Sequence, residues 1–593
     1  MELNDSQKTR KAQQATGCAK GTLLADLKMS SPSSSSSGRS NSTSSHPKKP
    51  IDPITRTALR YTLSPHEYEL LHQYLISRAP QPVQKRTPNP LRYENITARS
   101  SEGNGPDSNA AAVRAALRVF VGVYAGFKGW EVVMQKLAER RGATTMKTKE
   151  IRFKNVRLAL SFSSILLFHK LLHRFFRRLR TSLLEDSASA FRKRNPQVAK
   201  LLTSAYTPAI GAALSGFSLG ISPADQLRVT LAIYIFTRSL EFGYNALESG
   251  GYLWKSKEER PWWFGSWLIM PVAFGQLLHA FLFDRECFPE AFGSFILKRS
   301  PEYIQTRPKN YPTGKPWPGT FDLADALAEL SKLKWPPFVS PILFPNTKDM
   351  ALPAALATTI APVAAPAHPG IQHASCAVLH PRDPSCLRTY IKYFVRAFPG
   401  VVRVFTVMYG AFALLAYKSL IKDPLPFLNR LSSRILRMSI FVTGAIGTSW
   451  ASLCAFNNIL PRTVLPTQRL FFGGFVGGLW AYVARKHERG NFLYSARLSI
   501  DSFYKVGKKR GWWRGIRNGD VLLFVVSLAL LDSVYEVQPG AVQGAMLRKG
   551  MGVMRGEGFV DRAAPQSKEG TEVMEEKEQE KEALGEEMKE KGE

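Results

Sequence analysis

The stretch LRVFVGVYAGF at residues 117–127 recurs as VRVFTVMYGAF at residues 402–412, 285 positions further along this chain of 593 residues. The Arg, Val, Phe, Tyr and final Phe stand in the same register in both stretches. More matches follow in the same order. Tyr234, Glu241 and Tyr244 match Tyr494, Asp501 and Tyr504 at an offset of 260 residues. Trp262–Trp263 matches Trp512–Trp513 at an offset of 250 residues. Colinear matches indicate an internal duplication, and a repeat decides the fold before any local pattern does.

The duplicated stretches belong to apolar segments that are long enough to cross a lipid bilayer. Residues 201–222, 262–283 and 438–460 contain no Asp, Glu, Lys or Arg. Each segment has 22 or 23 residues, and about 20 apolar residues span a hydrocarbon core. The sequence therefore predicts an all-α, multi-pass membrane protein with two homologous copies of about five helical segments each, which makes roughly 6–10 crossings.

The segments of the two copies can be placed individually. Those of the first copy are 111–134, 156–172, 200–222, 229–248 and 262–283. Those of the second copy are 398–417, 437–460, 470–484, 490–504 and 521–536. Five crossings per copy would give the copies opposite orientations in the membrane, an arrangement known from transporters. The basic loops agree with it only in part, so the sequence leaves the orientation and the number of crossings open.

The remaining composition sets the organisation of the chain. We predict five regions: a largely disordered, basic and Ser-rich region at 1–109 with a short helix near 64–78, a first membrane repeat at 111–285, a Pro/Ala-rich connector with a Cys/His segment at 286–396, a second membrane repeat at 397–536, and a disordered tail at 537–593 that is acidic from residue 568. Ser64 and Glu67 have the spacing of a capping box. The prolines of the connector predict a loop with short helical pieces.

The net charge of +33 is concentrated beside the apolar segments. Arg174, Arg177, Arg178 and Arg180 follow the second segment. Basic clusters beside a membrane attract anionic headgroups, and the chain contains no recognisable nucleic-acid module. We therefore expect membrane lipids rather than nucleic acid as partners. The five cysteines are too few and odd in number for a disulfide framework, which favours a reducing compartment.

Small residues recur at intervals of four in several segments. Helices in lipid associate by close approach of their backbones, which small side chains permit. These positions predict helix packing within the chain or, alternatively, the interface of a homo-oligomer. The glycines concerned are Gly122, Gly126, Gly216, Gly220, Gly447, Gly473 and Gly477.

Four charged residues lie inside the apolar segments at matching positions of the two copies, namely Arg118 with Arg403 and Glu241 with Asp501. A charge at the centre of a bilayer costs about 2.5–3.5 kcal/mol on insertion scales, so it usually has a role. One interpretation pairs Arg118 with Glu241 and Arg403 with Asp501 along a path for a substrate or a lipid. The other lets each side chain reach the headgroups from near a helix end.

Cys376, His380 and Cys386 form a short group just before the second copy. Thiolate and imidazole ligands suit zinc, but this spacing matches no standard zinc finger, and a loop clasp or free thiols are the alternatives. The chain lacks a phosphate-binding loop, a His-Glu-x-x-His motif and a Gly-x-Ser-x-Gly elbow. The sequence therefore predicts a protein that is not an enzyme and has no cofactor.

Arg517, Asn518, Gly519 and Asp520, followed by Val-Leu-Leu-Phe, resemble the signature of the transmembrane protein 135 family. The segment with Cys376, His380 and Cys386 resembles the short Cys-rich element of that family. Residues 438–520 and 200–300 resemble its two membrane halves. The halves stand in the opposite order here from animal members, and only one Cys-rich element is present. The family is similar in turn to Tim-type translocase subunits and to a small peroxisomal membrane protein.

The resemblance implies a non-enzymatic integral membrane protein of peroxisomes or mitochondria that affects organelle dynamics and lipid handling. The matched intramembrane charges leave an alternative open, a transporter or channel-like conduit for a small solute or a lipid.

Overall fold

The computed structural model describes residues 52–97, 108–140, 148–254, 259–312, 314–345, 352–415, 417–486 and 488–563. The fold of these residues is all-α, which confirms the predicted class; among them only Pro337 and His373 form a β-bridge. The disorder predicted before residue 52 and after residue 563 lies outside the described residues. Five helices are long and apolar enough to cross a membrane, which fits an integral membrane protein: Ser108–Glu139, Phe153–Leu184, Ser266–Phe283, Cys386–Leu415 and Pro424–Ile459.

The predicted helix near residues 64–78 is present and has short neighbours. The N-terminal helices are α1 (Pro53–Thr62), α2 (Pro65–Tyr74), α3 (Gln81–Arg86) and α4 (Pro90–Thr97). The capping box of α2 forms as predicted, because the Ser64 hydroxyl accepts from the Glu67 N–H while the Glu67 carboxylate accepts from the Ser64 N–H. The prediction that 1–109 is largely disordered outside the helix near 64–78 is wrong for the described residues, since α1, α3 and α4 are helical and Tyr93 of α4 stacks on Tyr68 of α2 at 3.9 Å between ring centroids.

The first copy contains two long helices, several short ones and then two of intermediate length. They are α5 (Ser108–Glu139), α6 (Thr148–Leu184), α7 (Ser189–Arg194), α8 (Pro196–Thr203), α9 (Thr207–Gly216), α10 (Gln226–Ser249) and α11 (Ile269–Phe283). A 3₁₀ helix, Phe217–Ile221, extends α9. The prediction of one continuous segment at 200–222 is wrong. The chain turns between α8 and α9 because Pro208 has no N–H to donate and restricts the residue before it.

The connector is more helical than its prolines suggested. It contains α12 (Glu290–Lys298), α13 (Thr320–Lys332), α14 (Ala354–Ala364) and α15 (Ala374–Leu379). Leu323, Leu327 and Ile360 are buried in a core that continues into α11 through Phe281. The predicted pattern of a loop with short helical pieces is present, and α14 forms because its alanines favour a helix and Pro353 lies before its first turn.

The second copy repeats the order of the first. Its helices are α16 (Cys386–Leu415), α17 (Tyr417–Lys422), α18 (Pro424–Ile459), α19 (Gln468–Gly478), α20 (Arg489–Lys509) and α21 (Gly519–Val537). A 3₁₀ helix again extends the short third helix, here at Leu479–Ala484 after α19. The chain then forms α22 (Ala545–Arg555), in a region for which the sequence predicted disorder.

The two copies exchange their last helix. In the first bundle, α6 packs between α5 and α9, and α21 of the second copy packs on α9 and α10. In the second bundle, α18 packs between α16 and α19, and α11 of the first copy packs on α19 and α20. The same pattern of packing in both bundles supports the duplication inferred from the sequence. Neither bundle is complete without a helix from the other copy.

The bundles meet where α10 and α20 cross in opposite directions. Residue numbers rise along α10 as they fall along α20, in the hydrogen-bonded pairs Gln226–Asp501, Thr237–Arg497 and Asn245–Arg489. The pairing is centred near Phe236 and Ala496, which match each other under the 260-residue offset of the copies. An approximate two-fold axis therefore passes between α10 and α20, in keeping with copies of opposite orientation.

The exchanged helices lie in backbone contact with their new neighbours. A Cβ atom on Gly474 of α19 would lie 2.5 Å from the Phe274 carbonyl oxygen of α11. In the other bundle, a Cβ on Gly216 of α9 would lie 3.0 Å from the Val525 Cα of α21. Only glycine permits the closer of these approaches, so small residues hold both exchanged helices in place.

The predicted packing glycines differ in how closely they approach neighbouring helices. A Cβ on Gly447 would lie 2.5 Å from the Tyr393 ring of α16, one on Gly473 would lie 2.7 Å from the Ser452 hydroxyl of α18, and Gly477 faces the same helix equally closely. Gly220 is looser, with its nearest neighbour at 4.0 Å. The packing prediction fails within the chain for two glycines of α5, Gly122 and Gly126, since no atom lies within 4 Å of a Cβ built on either.

Replacing Gly474 with Ala should loosen the exchanged helix α11. The added methyl group would meet backbone atoms, and overpacking of this kind costs about 3 kcal/mol. Gly410→Ala on α16 is the matched control, because its Cβ meets nothing within 4 Å and alanine favours a helix by up to about 1 kcal/mol over glycine. Thermal unfolding in detergent should separate the two variants, and equal loss in both would contradict this account of the packing.

Candidate functional site

The crossing of α10 and α20 brings charged side chains of both copies together. Both helices are long, at 24 and 21 residues. Neither is among the five helices that are apolar enough to cross a membrane. Their facing surfaces are rich in arginine, and most of these side chains are only partly buried. We name the following group the charged seam: Arg238, Glu241, Arg489, Arg497, Asp501 and Lys505.

Glu241 is the most buried member of the charged seam, with 5% of its surface exposed. The Arg238 guanidinium donates to its carboxylate at 2.7 Å from one turn earlier on α10. Arg489 of α20 pairs with the other carboxylate oxygen at 2.9 Å. The predicted pairing of Glu241 with Arg118 is wrong, since Arg118 on α5 pairs with Glu67 of α2.

Asp501, the counterpart of Glu241, has a similar but more open environment. Its Oδ2 atom accepts from the Gln226 amide of α10 at 3.1 Å and pairs with Lys505 at 2.6 Å. Each of the two matched acids therefore contacts a residue at the start of the other copy's helix. The predicted pair of Asp501 with Arg403 does not form, because Arg403 lies exposed on α16 in the second bundle.

Arg497 differs from the other arginines of the charged seam because it pairs with no carboxylate among the described residues. Its Nε donates to the Thr237 hydroxyl at 2.9 Å, and its guanidinium lies 4.4 Å from the centre of the Tyr234 ring. Arg238 approaches the same ring at 5.7 Å. The Nη2 atom of Arg497 is buried and has no hydrogen-bond partner in the described part of the chain.

A cavity with several polar side chains in its lining opens at the C-terminal end of α10. Its volume is about 710 Å³, and its lining includes Asn245, Glu248, Trp254, Arg260 and Arg489. Arg489 donates to the Asn245 side-chain oxygen at 2.9 Å while it also pairs with Glu241. Arg260 pairs with Glu248 at 2.9 Å. The cavity therefore borders the charged seam, and Arg489 belongs to both.

The residues of the family-like signature anchor the exchanged helix α21. Asn518 adopts a left-handed conformation with φ of 57°, which asparagine tolerates better than most residues. Arg228 of α10 donates to both carboxylate oxygens of Asp520, at 2.5 and 3.1 Å, and to the Asn518 side-chain oxygen at 3.3 Å. Gly519 lies in this turn, and Arg517 is exposed. No local pattern indicates Arg228 as a partner, because Asn518 and Asp520 lie almost 300 residues away.

The three residues of the Cys/His segment come together and gain a fourth. Cys376 on α15, His380 just after α15 and Cys386 at the start of α16 lie around Cys454 of α18. The ligand atoms of all four lie within 4.8 Å of one another. Sequence analysis missed Cys454 because it belongs to a different helix, far along the chain from the other three.

A second buried cluster lies in the first bundle and was also missed. Arg555 of α22 pairs with Asp532 of α21 at 2.8 Å, and the side chains of both are at most 1% exposed. His169 and His173 of α6 face the same carboxylate at 3.6 and 3.7 Å. The i,i+4 spacing of the two histidines was the sequence pattern that could have indicated this cluster. The prediction of disorder from residue 537 is wrong as far as residue 563, because the buried Arg555 holds α22 on the first bundle.

Comparison with known proteins does not identify the chain. No family model matches it, and no solved structure matches it. The resemblance to the transmembrane protein 135 family therefore stays a prediction.

Glu241→Gln should destabilise the protein more than Asp501→Asn. Removing the Glu241 charge takes away the hydrogen bond from Arg238 and the ion pair with Arg489, and it should lower the free energy of unfolding by about 2 kcal/mol. Asp501 and Lys505 are more exposed, so Asp501→Asn should cost about 1 kcal/mol or less. Denaturation of the detergent-solubilised variants measures both values. An equal or larger loss in Asp501→Asn would show that burial does not set the strength of these pairs.

Proposed function

We propose that the protein is a non-enzymatic integral membrane protein that handles lipid, and that the charged seam guides the phosphate-bearing headgroup of a lipid across the membrane interior. The observation that supports this is the excess of cations in the charged seam. Arg238, Arg489, Arg497 and Lys505 face only two carboxylates, and Arg497 pairs with neither. An anionic group would complete the charge balance.

The physical obstacle to lipid transfer is the loss of water around the headgroup. A charge moved without compensation into an apolar medium costs far more than thermal energy can supply. Guanidinium groups replace lost water with paired hydrogen bonds to phosphate oxygens. A row of arginines along a helix crossing would therefore lower the barrier for a phosphate, while a neutral groove would not.

The charged seam is also open at its side, as lipid transfer requires. Tyr494 of α20 is 56% exposed and Tyr234 of α10 is 39% exposed, and both lie beside Arg497 in sequence or in space. A headgroup could thus enter the charged seam while its acyl chains remain in the bilayer. Enclosed pores lack this property, which favours lipid over a soluble molecule.

The proposed location is the membrane of peroxisomes or mitochondria, where this protein would affect organelle dynamics through lipid content. That location is supported only by the resemblance of Arg517, Asn518, Gly519 and Asp520 to the transmembrane protein 135 family. Tagging with organelle markers, followed by protease protection of each terminus, tests the organelle and the orientation together.

A conduit for a small polar solute is the second candidate. The cavity of about 710 Å³ favours it, because charged and amide side chains contribute to its lining and one of them, Arg489, also pairs with Glu241 of the charged seam. In this case Glu241 and Asp501 would form part of the path. The two functions differ in whether a fluorescent lipid or an enclosed solute crosses the membrane.

Neutralising the arginines of the charged seam should slow lipid transfer. Purified protein in liposomes should speed the exposure of a fluorescent phospholipid to an impermeant quencher, and Arg497→Gln or Arg238→Gln should reduce this rate about tenfold, because each removes charge-assisted hydrogen bonds worth about 1.5–3 kcal/mol. Arg403→Gln is the control, since Arg403 is an exposed arginine outside the charged seam.

Two results would reject the lipid function. One is a wild-type protein that inserts but transfers no lipid, and the other is transfer that is unchanged in both variants of the charged seam. Release of an enclosed solute that stops in a Glu241→Gln, Asp501→Gln double variant, without lipid transfer, would instead support the conduit.

The basic end of α6 should bind anionic headgroups. Arg177 and Arg178 are exposed there, whereas Arg174 and Arg180 donate to the backbone oxygens of Ser108 and Thr203. Each exposed charge contributes about 1 kcal/mol to binding at an anionic surface. Replacing Arg177 and Arg178 with Gln should therefore weaken binding of a fluorescent phosphatidylserine in mixed micelles by more than tenfold.

The Arg174→Gln, Arg180→Gln pair is the control, because those guanidinium groups already have acceptors. Its loss of binding should be smaller, and both losses should shrink at high salt. Equal losses in the two pairs, or none in either at low salt, would contradict the assignment of a lipid-binding surface to Arg177 and Arg178.

A further inference from the structure

Four soft ligand groups from separate parts of the chain converge in the region where the connector meets the second bundle. The Cys376 and Cys386 sulfur atoms are 4.0 Å apart. The His380 Nε2 atom lies 3.4 Å from the Cys386 sulfur and 3.4 Å from the Cys454 sulfur. From this geometry we infer that Cys376, His380, Cys386 and Cys454 form a structural zinc site, and that zinc fastens the connector to α18.

The spacing of the four groups fits a tetrahedral zinc ion. Bonds of about 2.3 Å to sulfur and about 2.0 Å to nitrogen place neighbouring sulfurs about 3.8 Å apart and sulfur about 3.5 Å from nitrogen. The observed separations of 3.4 and 4.0 Å match these values, and no pair of ligand atoms exceeds 4.8 Å. Small side-chain adjustments would suffice to bind the ion.

The orientation of His380 gives a second, independent argument. Its Nδ1 atom lies 2.8 Å from the Asp383 carbonyl oxygen. A carbonyl oxygen only accepts, so Nδ1 bears the proton and the lone pair of Nε2 faces the cysteines. Metal-binding histidines are held in this way, with the distal nitrogen hydrogen-bonded to a backbone carbonyl or a carboxylate.

The burial of the site indicates a structural role. Cys376, His380 and Cys454 are each less than 5% exposed, and Cys386 is partly buried. Four protein ligands complete the tetrahedron of zinc, so no position is left for water or a substrate. Catalytic zinc sites, in contrast, keep one position open.

A disulfide is the main competing explanation, and it accounts for less of the geometry. Bonded sulfur atoms lie about 2.05 Å apart, while the Cys376 and Cys386 sulfur atoms lie 4.0 Å apart. One disulfide would also leave His380 and Cys454 without a role in the cluster. A metal ion explains why the Cys454 thiol and the oriented His380 imidazole lie within 4.8 Å of the other two thiols.

The site would strengthen a contact that polar groups already make nearby. Asn457, one turn after Cys454 on α18, donates to the Ser375 hydroxyl of α15 at 2.7 Å. Buried Arg469 of α19 donates in turn to the Asn457 side-chain oxygen at 2.7 Å. With zinc bound, the hydrophobic core of the connector would be fixed to the second bundle. Removal of the zinc should release that core from the bundle.

Metal analysis of the full-length protein, purified in detergent without chelators, tests the inference. We expect about one zinc ion per chain, to be lost in Cys376→Ser, Cys454→Ser and His380→Ala. Cys287→Ser is the matched control, because Cys287 is another buried cysteine that does not belong to the cluster, and it should retain the ion. A strong zinc chelator should lower the Tm of the wild-type protein, and added zinc, unlike magnesium, should restore it.

If the variants fail to fold, the inference can still be tested on the wild-type protein. Titration with a mercurial thiol reagent should release zinc in step with modification of the cluster. The inference fails if the wild-type protein neither contains zinc nor takes it up after reduction. It also fails if a different metal occupies the site, or if mass analysis of the non-reduced chain finds a Cys376–Cys386 disulfide.

Discussion

The antiparallel crossing of α10 and α20 is the constraint on which the rest of the structure depends. It brings Glu241 of one copy against Arg489 of the other, and a buried carboxylate in a membrane protein must keep its counter-charge. Separating the copies would remove Arg489 and leave Glu241 with Arg238 of its own helix as its remaining cation among the described residues. The two bundles are therefore held face to face by electrostatics as well as by packing.

The exchange of α11 and α21 follows from the same crossing. Each bundle takes its fifth helix from the other copy, because α21 packs on α10 of the first bundle and α11 packs on α20 of the second. Apolar surface alone gives little attraction between helices in lipid, so close backbone approach has to supply it. Gly216 and Gly474 provide that approach, and the Arg228–Asp520 pair fixes where α21 begins.

Much of this architecture could be predicted from the sequence, because duplication and apolar periodicity are local patterns. The matching of Glu241 with Asp501, the capping box at Ser64 and the class of fold all follow from them. The partners could not be predicted, since Arg489 and Cys454 meet their contacts across long stretches of chain. The prolines of the connector predicted short helices within a loop, but they did not indicate the hydrophobic core around Leu323. Tertiary packing sets these long-range contacts, and it produces no periodic pattern in the sequence.

The path proposed for a lipid depends on the balance of charge along the charged seam. In a structural interface each cation would have a carboxylate, as Arg228 has Asp520. Here Glu241 is shared by two arginines, while Arg497 contacts Thr237 and Tyr234 and pairs with no carboxylate in the described part of the chain. An anion that enters would meet attraction from Arg497 and repulsion from Glu241 and Asp501. Transport requires this combination, because binding must be favourable enough for entry and weak enough for release.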